Sequence, residues 1–324
     1  MSEDAGQVRL IYSDDVDALA TPELGLEAAV AAATVDRSTV ATGRVQVNGD
    51  VSWSRILSGS ISDLDVTGYK EFHRVGKRVR YHIHLYREST GDALAIVDGR
   101  RITSLRTSST AAAAVRAWAK GRSVRVGLIG SGEESREGLR ALRGTVDVTG
   151  ASVYSPTQAN REAFANEMGE ALSLSVVAYD SAERVVEDCD VLYVATSSKG
   201  DPFLGLAEVG HIPMISAVGA TQRIDRELRG DVFTGATVVV DAMDAVLESG
   251  DGHEAIDSGW DPSTSLLLGD YLARADQLES ERTLFKSIGS VEQDLVLALH
   301  LLEAAEREGR GVLVDQIGSL RLMR

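Results

Sequence analysis

One stretch constrains the fold more than any other. The apolar run VRVGLI ends at Gly130-Ser131-Gly132-Glu133-Glu134-Ser135, a helical segment follows, and a second strand-like run, ASVYS, closes the unit. In such a strand–turn–helix–strand unit the first glycine permits the tight turn. The second lets a phosphate approach the backbone, and the helix start offers free N–H groups and the positive end of its dipole. Ser135 stands where a third glycine or alanine is usual, and is still small enough for close helix–strand packing. The pattern points to a bound dinucleotide. Further strand-like runs (SVVAYD, DVLYVATS, HIPMISAVGA, ATVVVDA) alternate with helical ones, which implies a parallel sheet covered on both faces.

The end of the second strand bears on the choice of dinucleotide. An acid there would bind the adenosine ribose 2′-hydroxyl and favour NAD. The residues present are Ser155, Pro156 and Thr157, with Arg161 further on. Hydroxyl donors without a carboxylate suit a 2′-phosphate, so NADP(H) is favoured and NAD(H) stays possible. The plainer reading makes Ser155 the cap of the next helix.

Before residue 119 the pattern is that of an α+β unit. DDVDALATPELGLEAAVAAATVD reads as helical, and alternating runs from RVQVNGDVSWSRI to ALAIVDG read as a meander with an Asn-Gly turn. TSSTAAAAVRAWAK reads as an Ala-rich helix capped by Thr or Ser, and the chain beyond Asp244 reads as helical. A formal net charge of −16 disfavours a broad nucleic-acid surface. No apolar run suits a membrane span, and the acidic start does not suit a secretion leader, so a cytoplasmic location is expected. Lysine supplies only five of the 33 basic residues, as in a protein of a salt-rich cytoplasm or one shaped by coding bias. The lone Cys189 excludes an internal disulfide and reads as a packing residue. His82 and His84 alternate on one strand face; without an accompanying carboxylate or cysteine cluster they suit a pocket or dimer surface better than a metal, and none is expected.

Five segments, in order, resemble the ornithine cyclodeaminase/mu-crystallin superfamily: RRITSLRTSSTAAAAVRAWA, VGLIGSGEES, AVGATQRIDREL, VVVDAMDAVLESGD and TLFKSIGSVEQDL. The resemblance implies a Rossmann-type parallel-sheet dinucleotide domain, residues 119–289. It also implies an α+β substrate-binding and dimerisation domain built from both chain ends, residues 1–118 with 290–324. It further implies a homodimer and hydride transfer between a nicotinamide and the α-carbon of an α-amino or α-imino acid. Arg44, Lys70 and Arg106 match its carboxylate-binding set, which agrees with the bidentate fit of arginine to carboxylates. Ile288 would line the substrate, and Lys70 and Thr221 fall at the catalytic positions, Lys70 as an alternative proton donor to the imine. Arg106, Gly130, Gly132, Glu133, Glu134, Ser155, Pro156, Thr157, Thr196, Val218, Gly219 and Ser287 fall at cofactor-contacting positions.

The chain departs from the pattern in one loop. Family cyclodeaminases carry an Asp after AVGA; here Thr221 takes that place, and a nearby Lys is replaced by Asp225. The DREL ending resembles the mu-crystallin branch, whose members reduce ketimines. Thr221 is no carboxylate base, so reduction of an α-imino acid is the expected activity. An ornithine cyclodeaminase, an alanine-dehydrogenase-like enzyme and a catalytically silent NADP(H) carrier are the alternatives.

Overall fold

The computed structural model describes residues 6–197, 200–278 and 280–316. They divide into two compact units. The first holds the residues up to Leu24, Val35–Thr103 and those from Val291 onward; the second holds Gly25–Thr34 and Ser104–Ser290. The first boundary differs from the expected 118/119 because it falls inside the helix Arg100–Ala119. Ala111–Val115 of that helix and Leu26 are buried in the same core as Val126 and Leu128, so packing assigns them to the second unit.

The first unit is built on a seven-stranded sheet. Its strands are β1 (Gln7–Ile11), β2 (Val40–Asn48), β3 (Ser52–Ile61), β4 (Val66–Val75), β5 (Arg78–Arg87) and β6 (Ala93–Asp98), with a strand near the C-terminus, Val312–Asp315, at one edge. β2 to β6 form the expected antiparallel meander, and at the Asn-Gly turn Gly49 N–H donates to Ser52 O at 2.8 Å. β1 and the C-terminal strand are additions to the expected pattern: β1 runs parallel to β6 and antiparallel to Val312–Asp315. The helix Val291–Glu308 lies over one face. Gly59 and Gly68, directly paired, make room for it; a Cβ at Gly59 would stand 2.9 Å from Val291, and one at Gly68 would stand 3.0 Å from Leu295.

The N-terminal helical stretch is two helices, Ser13–Leu19 and Pro22–Thr34, because Thr21 caps the second through Leu24 N–H at 3.2 Å and Pro22 begins it. The Ala-rich helix starts at Arg100, where Asp98 accepts the Arg100 N–H, so Thr107 and Ser108 lie in its interior and do not cap it.

The second unit carries an all-parallel eight-stranded sheet. Its strands are β7 (Val124–Ile129), β8 (Val148–Tyr154), β9 (Val176–Ala178), β10 (Val191–Val194), β11 (Met214–Ala217), β12 (Thr237–Val240), β13 (Leu266–Leu267) and β14 (Thr283–Lys286), in the order β13-β12-β14-β11-β10-β7-β8-β9. Two apolar cores accompany it, one around Leu128, Tyr193 and Phe285, the other around Leu192, Ile215 and Leu284. Alternate residues of β10 and β14 enter opposite cores, so helices cover both faces. The chain after Asp244 is therefore not all helical: β13 and β14 are strands, and β14 lies in the middle of the sheet. Four wholly buried residues show no alternation, which hid β14 within a helical stretch. No helix among the described residues is long and apolar enough to cross a membrane.

Candidate active site

Because the second sheet is parallel, the loops after β7, β8, β10, β11 and β14 emerge along one edge, where open α/β sheets hold their ligands. Gly130 has φ +110°, and a Cβ there would collide with Ala195 O at the end of the neighbouring β10. Only glycine suits this position. A Cβ at Gly132 would meet nothing within 4 Å, which leaves the turn open to a phosphate. Gly132 caps the helix Glu133–Thr145, and Ser135 is fully buried at its base. The same helix lies on Tyr193 through Gly138, a second small residue that makes the close approach possible. These features fit a dinucleotide pyrophosphate.

After β8, the Ser155 hydroxyl accepts a hydrogen bond from Ser131 Oγ at 2.9 Å, joining the two nucleotide loops. Arg161 donates to Ser155 O at 3.1 Å and Pro156 O at 3.3 Å, so its guanidinium is held against the loop after β8. The cap of the next helix is Thr157, not Ser155.

The loops after β10, β11 and β14 are tied by buried acids. Thr196 N–H donates to Glu227 Oε1 at 2.5 Å, and Gly219 and Ala220 N–H donate to Oε2 at 2.8 and 2.9 Å. Val218, also buried, bonds back to Val194 O, and the exposed Thr221 follows Ala220 directly. Asp241, just past β12, accepts from Ser287 Oγ at 2.5 Å, from Ile288 N–H at 3.4 Å and from Gly289 N–H at 2.8 Å. Gly289 has φ +81°, and a Cβ there would overlap the Arg106 guanidinium. Arg106 thus rests against the Ser287–Gly289 loop, with Ile288 half-buried beside it.

In the first unit, strand register explains the pairing of two expected residues. Arg44, Leu57, Lys70 and Ile83 form one cross-strand row, so Arg44 and Lys70 point to the same face. Arg44 is exposed on the edge strand, whereas Lys70 is buried. Lys70 Nζ donates to Thr103 Oγ1 and to Asp294 Oδ1, both at 2.8 Å, and lies 5.2 Å from the Phe72 ring centre. A buried ammonium is tolerated only with such compensation. Asp294 is thus a functional candidate that residue-level reading passed over, although it closes the FKSIGSVEQD segment.

His82 and His84 occupy the opposite face, and a carboxylate does accompany them. Glu71 Oε1 lies 2.8 Å from His82 Nδ1 and 3.5 Å from His84 Nε2, and its Oε2 lies 3.3 Å from His73 Nε2. The expected lack of an acid fails because Glu71 sits on β4, directly across from His82. Among the described residues no group of this kind is arranged to hold a metal ion.

The model of the ornithine cyclodeaminase/mu-crystallin family matches residues 66–309, well over half of the chain. The chain belongs to this family. Among curated family relatives, a Δ(1)-pyrroline-2-carboxylate reductase of Bacillus cereus is 26% identical over 260 residues, 77% of this chain and 79% of the relative. The ketimine reductase mu-crystallin of Mus musculus is 29% identical over 216 residues, 66% of each chain. The solved Δ(1)-pyrroline-2-carboxylate reductase of Thermococcus litoralis, in complex with NADH and L-proline, superposes with a TM-score of 0.85 at 25% identity. It covers 94% of this chain and 99% of that one. The family's two-sheet α/β fold is therefore that of this chain.

Proposed function

We propose that this family oxidoreductase uses NAD(P)H to reduce the C=N bond of a small α-imino acid, giving the α-amino acid. The observation that carries this direction is Thr221. A hydroxyl stands where proton exchange with a substrate amine would need a carboxylate, so net deamination lacks its base. Reduction asks less: the iminium carbon accepts a hydride, and the nitrogen needs at most one proton. The relatives named for pyrroline-2-carboxylate and ketimine reduction support the same direction, and the L-proline complex supports a cyclic imino acid as substrate.

The nicotinamide, when bound, supplies the hydride. The chain's own contribution is placement and charge. Gly130, Gly132 and the start of the Glu133–Thr145 helix take the pyrophosphate. Ser155, Pro156, Thr157 and Arg161 take the adenosine end and favour NADP(H), with NAD(H) also accepted. Thr196, Val218, Gly219 and Ser287 line the nicotinamide end. Lys70, Arg44 and Arg106 hold the substrate carboxylate, and Ile288 contacts its side chain; Lys70 also stands as the proton donor to nitrogen. The first unit is assigned substrate binding and dimerisation, and the second cofactor binding.

A substrate panel with NADPH and NADH tests this reading. Oxidation of NADPH with Δ(1)-pyrroline-2-carboxylate, giving proline, is the expected result. Faster turnover with pyruvate and ammonia would make the protein an alanine dehydrogenase, and ammonia release from ornithine would make it a cyclodeaminase. Tight NADPH binding without turnover of any of these would make it a carrier.

A further inference from the structure

Glu227, Lys286 and Asp251 form a charged cluster inside the second unit, each at most 1% exposed. Lys286, at the end of β14, donates to Ala220 O at 2.8 Å and lies 3.2 Å from Asp251 Oδ2. Asp251 Oδ1 accepts the N–H groups of Glu227 and Leu228 at 2.7 and 3.1 Å. The Ala220 peptide is therefore held at both ends by buried charges, its N–H by Glu227 and its C=O by Lys286. The loop after β10 is fastened to the same Glu227 carboxylate through Thr196. Gly219 shows how close this approach is: a Cβ there would stand 2.6 Å from Thr196 N and would overlap Glu227.

Such a cluster is expensive to bury, and an apolar core would have been easier to build. It does not touch the expected substrate groups, and it converges on two loops that carry expected cofactor positions. We propose that Glu227 is a positioning residue: its carboxylate sets the spacing between the loops after β10 and β11, and thereby sets the affinity for the nicotinamide dinucleotide. This role rests on the cofactor reading above.

The chemistry adds a pH dependence. A carboxylate accepts from all three amides. A protonated carboxyl gives up one lone pair to an O–H and loses its negative charge, so it accepts more weakly and its hold on the three amides slackens. Burial pushes Glu227 up to about 7; the Lys286 ammonium opposes this and the Asp251 carboxylate adds to it. Tyr193 on β10 also faces the cluster, and burial keeps its phenol neutral, well above its ordinary value. Loop spacing is thus held above about pH 7 and loosened below it.

The test is the dissociation constant of NADPH from pH 6 to 8 for wild type, E227Q and D251N. Amide hydrogen exchange of peptides spanning Thr196 and Gly219–Ala220 is followed in the free proteins at one pH. Wild-type affinity is expected to weaken as pH falls through about 7. E227Q is expected to lose about tenfold at pH 8, to show no such step, and to exchange faster in both loops. D251N keeps the Oδ1 acceptor but removes a negative neighbour, so its midpoint is expected at lower pH; it also serves if E227Q does not fold. E227Q with wild-type affinity, pH step and exchange would overturn the role. A folded wild type that binds neither NADPH nor NADH would overturn the cofactor reading itself, and this role with it.

Discussion

Lys70 is buried and held by Asp294 from the far end of the chain. The sequence places it in a recognisable segment, but its counter-ion is 224 positions away and comes within 2.8 Å only when the Val291–Glu308 helix settles on the meander. Removing either partner takes from a buried charge the counter-ion of this pair, so Lys70→Met and Asp294→Asn are each expected to cost about 3–5 kcal/mol in denaturant unfolding. The double variant should recover part of that stability and none of the turnover. Recovery of turnover would show that the pair is only structural. Ser155→Asp should turn preference from NADPH towards NADH, because its carboxylate repels a 2′-phosphate; calorimetric titration with both nucleotides measures the change. Glu227 makes a stability prediction of definite sign. Its value rises from the ordinary 4.5 in the unfolded chain to about 7 in the fold, so the stability tied to its proton is full below about 4.5 and is lost as pH rises through 7. Wild type should therefore lose more stability than E227Q between pH 5 and 8 in parallel urea titrations.

Among the elements, those with a clear period or a turn signature were legible: the meander strands, the Asn48-Gly49 turn, and the strand–turn–helix at Gly130. Elements whose partners are distant in sequence were not. β1 pairs with residues 312–315, and β14 has four buried residues and no polar face to mark it. The loop after β14 shows how a short element positions chemistry. Asp241 holds Ser287 and Gly289, and Gly289 gives its space to the Arg106 guanidinium. Gly289→Ala would add a Cβ inside that space at φ +81°, in a region costing a non-glycine residue about 1–3 kcal/mol. The expected result is a raised KM for the imino acid with little change in NADPH affinity. An unchanged KM would remove Arg106 from the carboxylate site.

The whole chain is acidic, with a formal net charge of −16, and the sheet of the first unit has a second face, opposite Lys70. That face carries Glu71 with His73, His82 and His84, and the edge strand β2 exposes Val45 and Val47. A homodimer joined through this sheet is expected, since an exposed edge of this length invites pairing. Light scattering in low and in molar KCl checks it; a monomer at both salts would contradict it, and dissociation only at low salt would point to an acidic interface that needs screening. Fold class and nucleotide motif were visible in the sequence because they depend on local pattern. The buried ion pairs were not, because they join segments that meet only in the folded units. The most direct measurement for the central claim uses NADPH deuterated at nicotinamide C4, on the transferred face, with Δ(1)-pyrroline-2-carboxylate as acceptor. The account predicts proline carrying one deuterium at the α-carbon; proline formed without that label, or no proline at all, would contradict it.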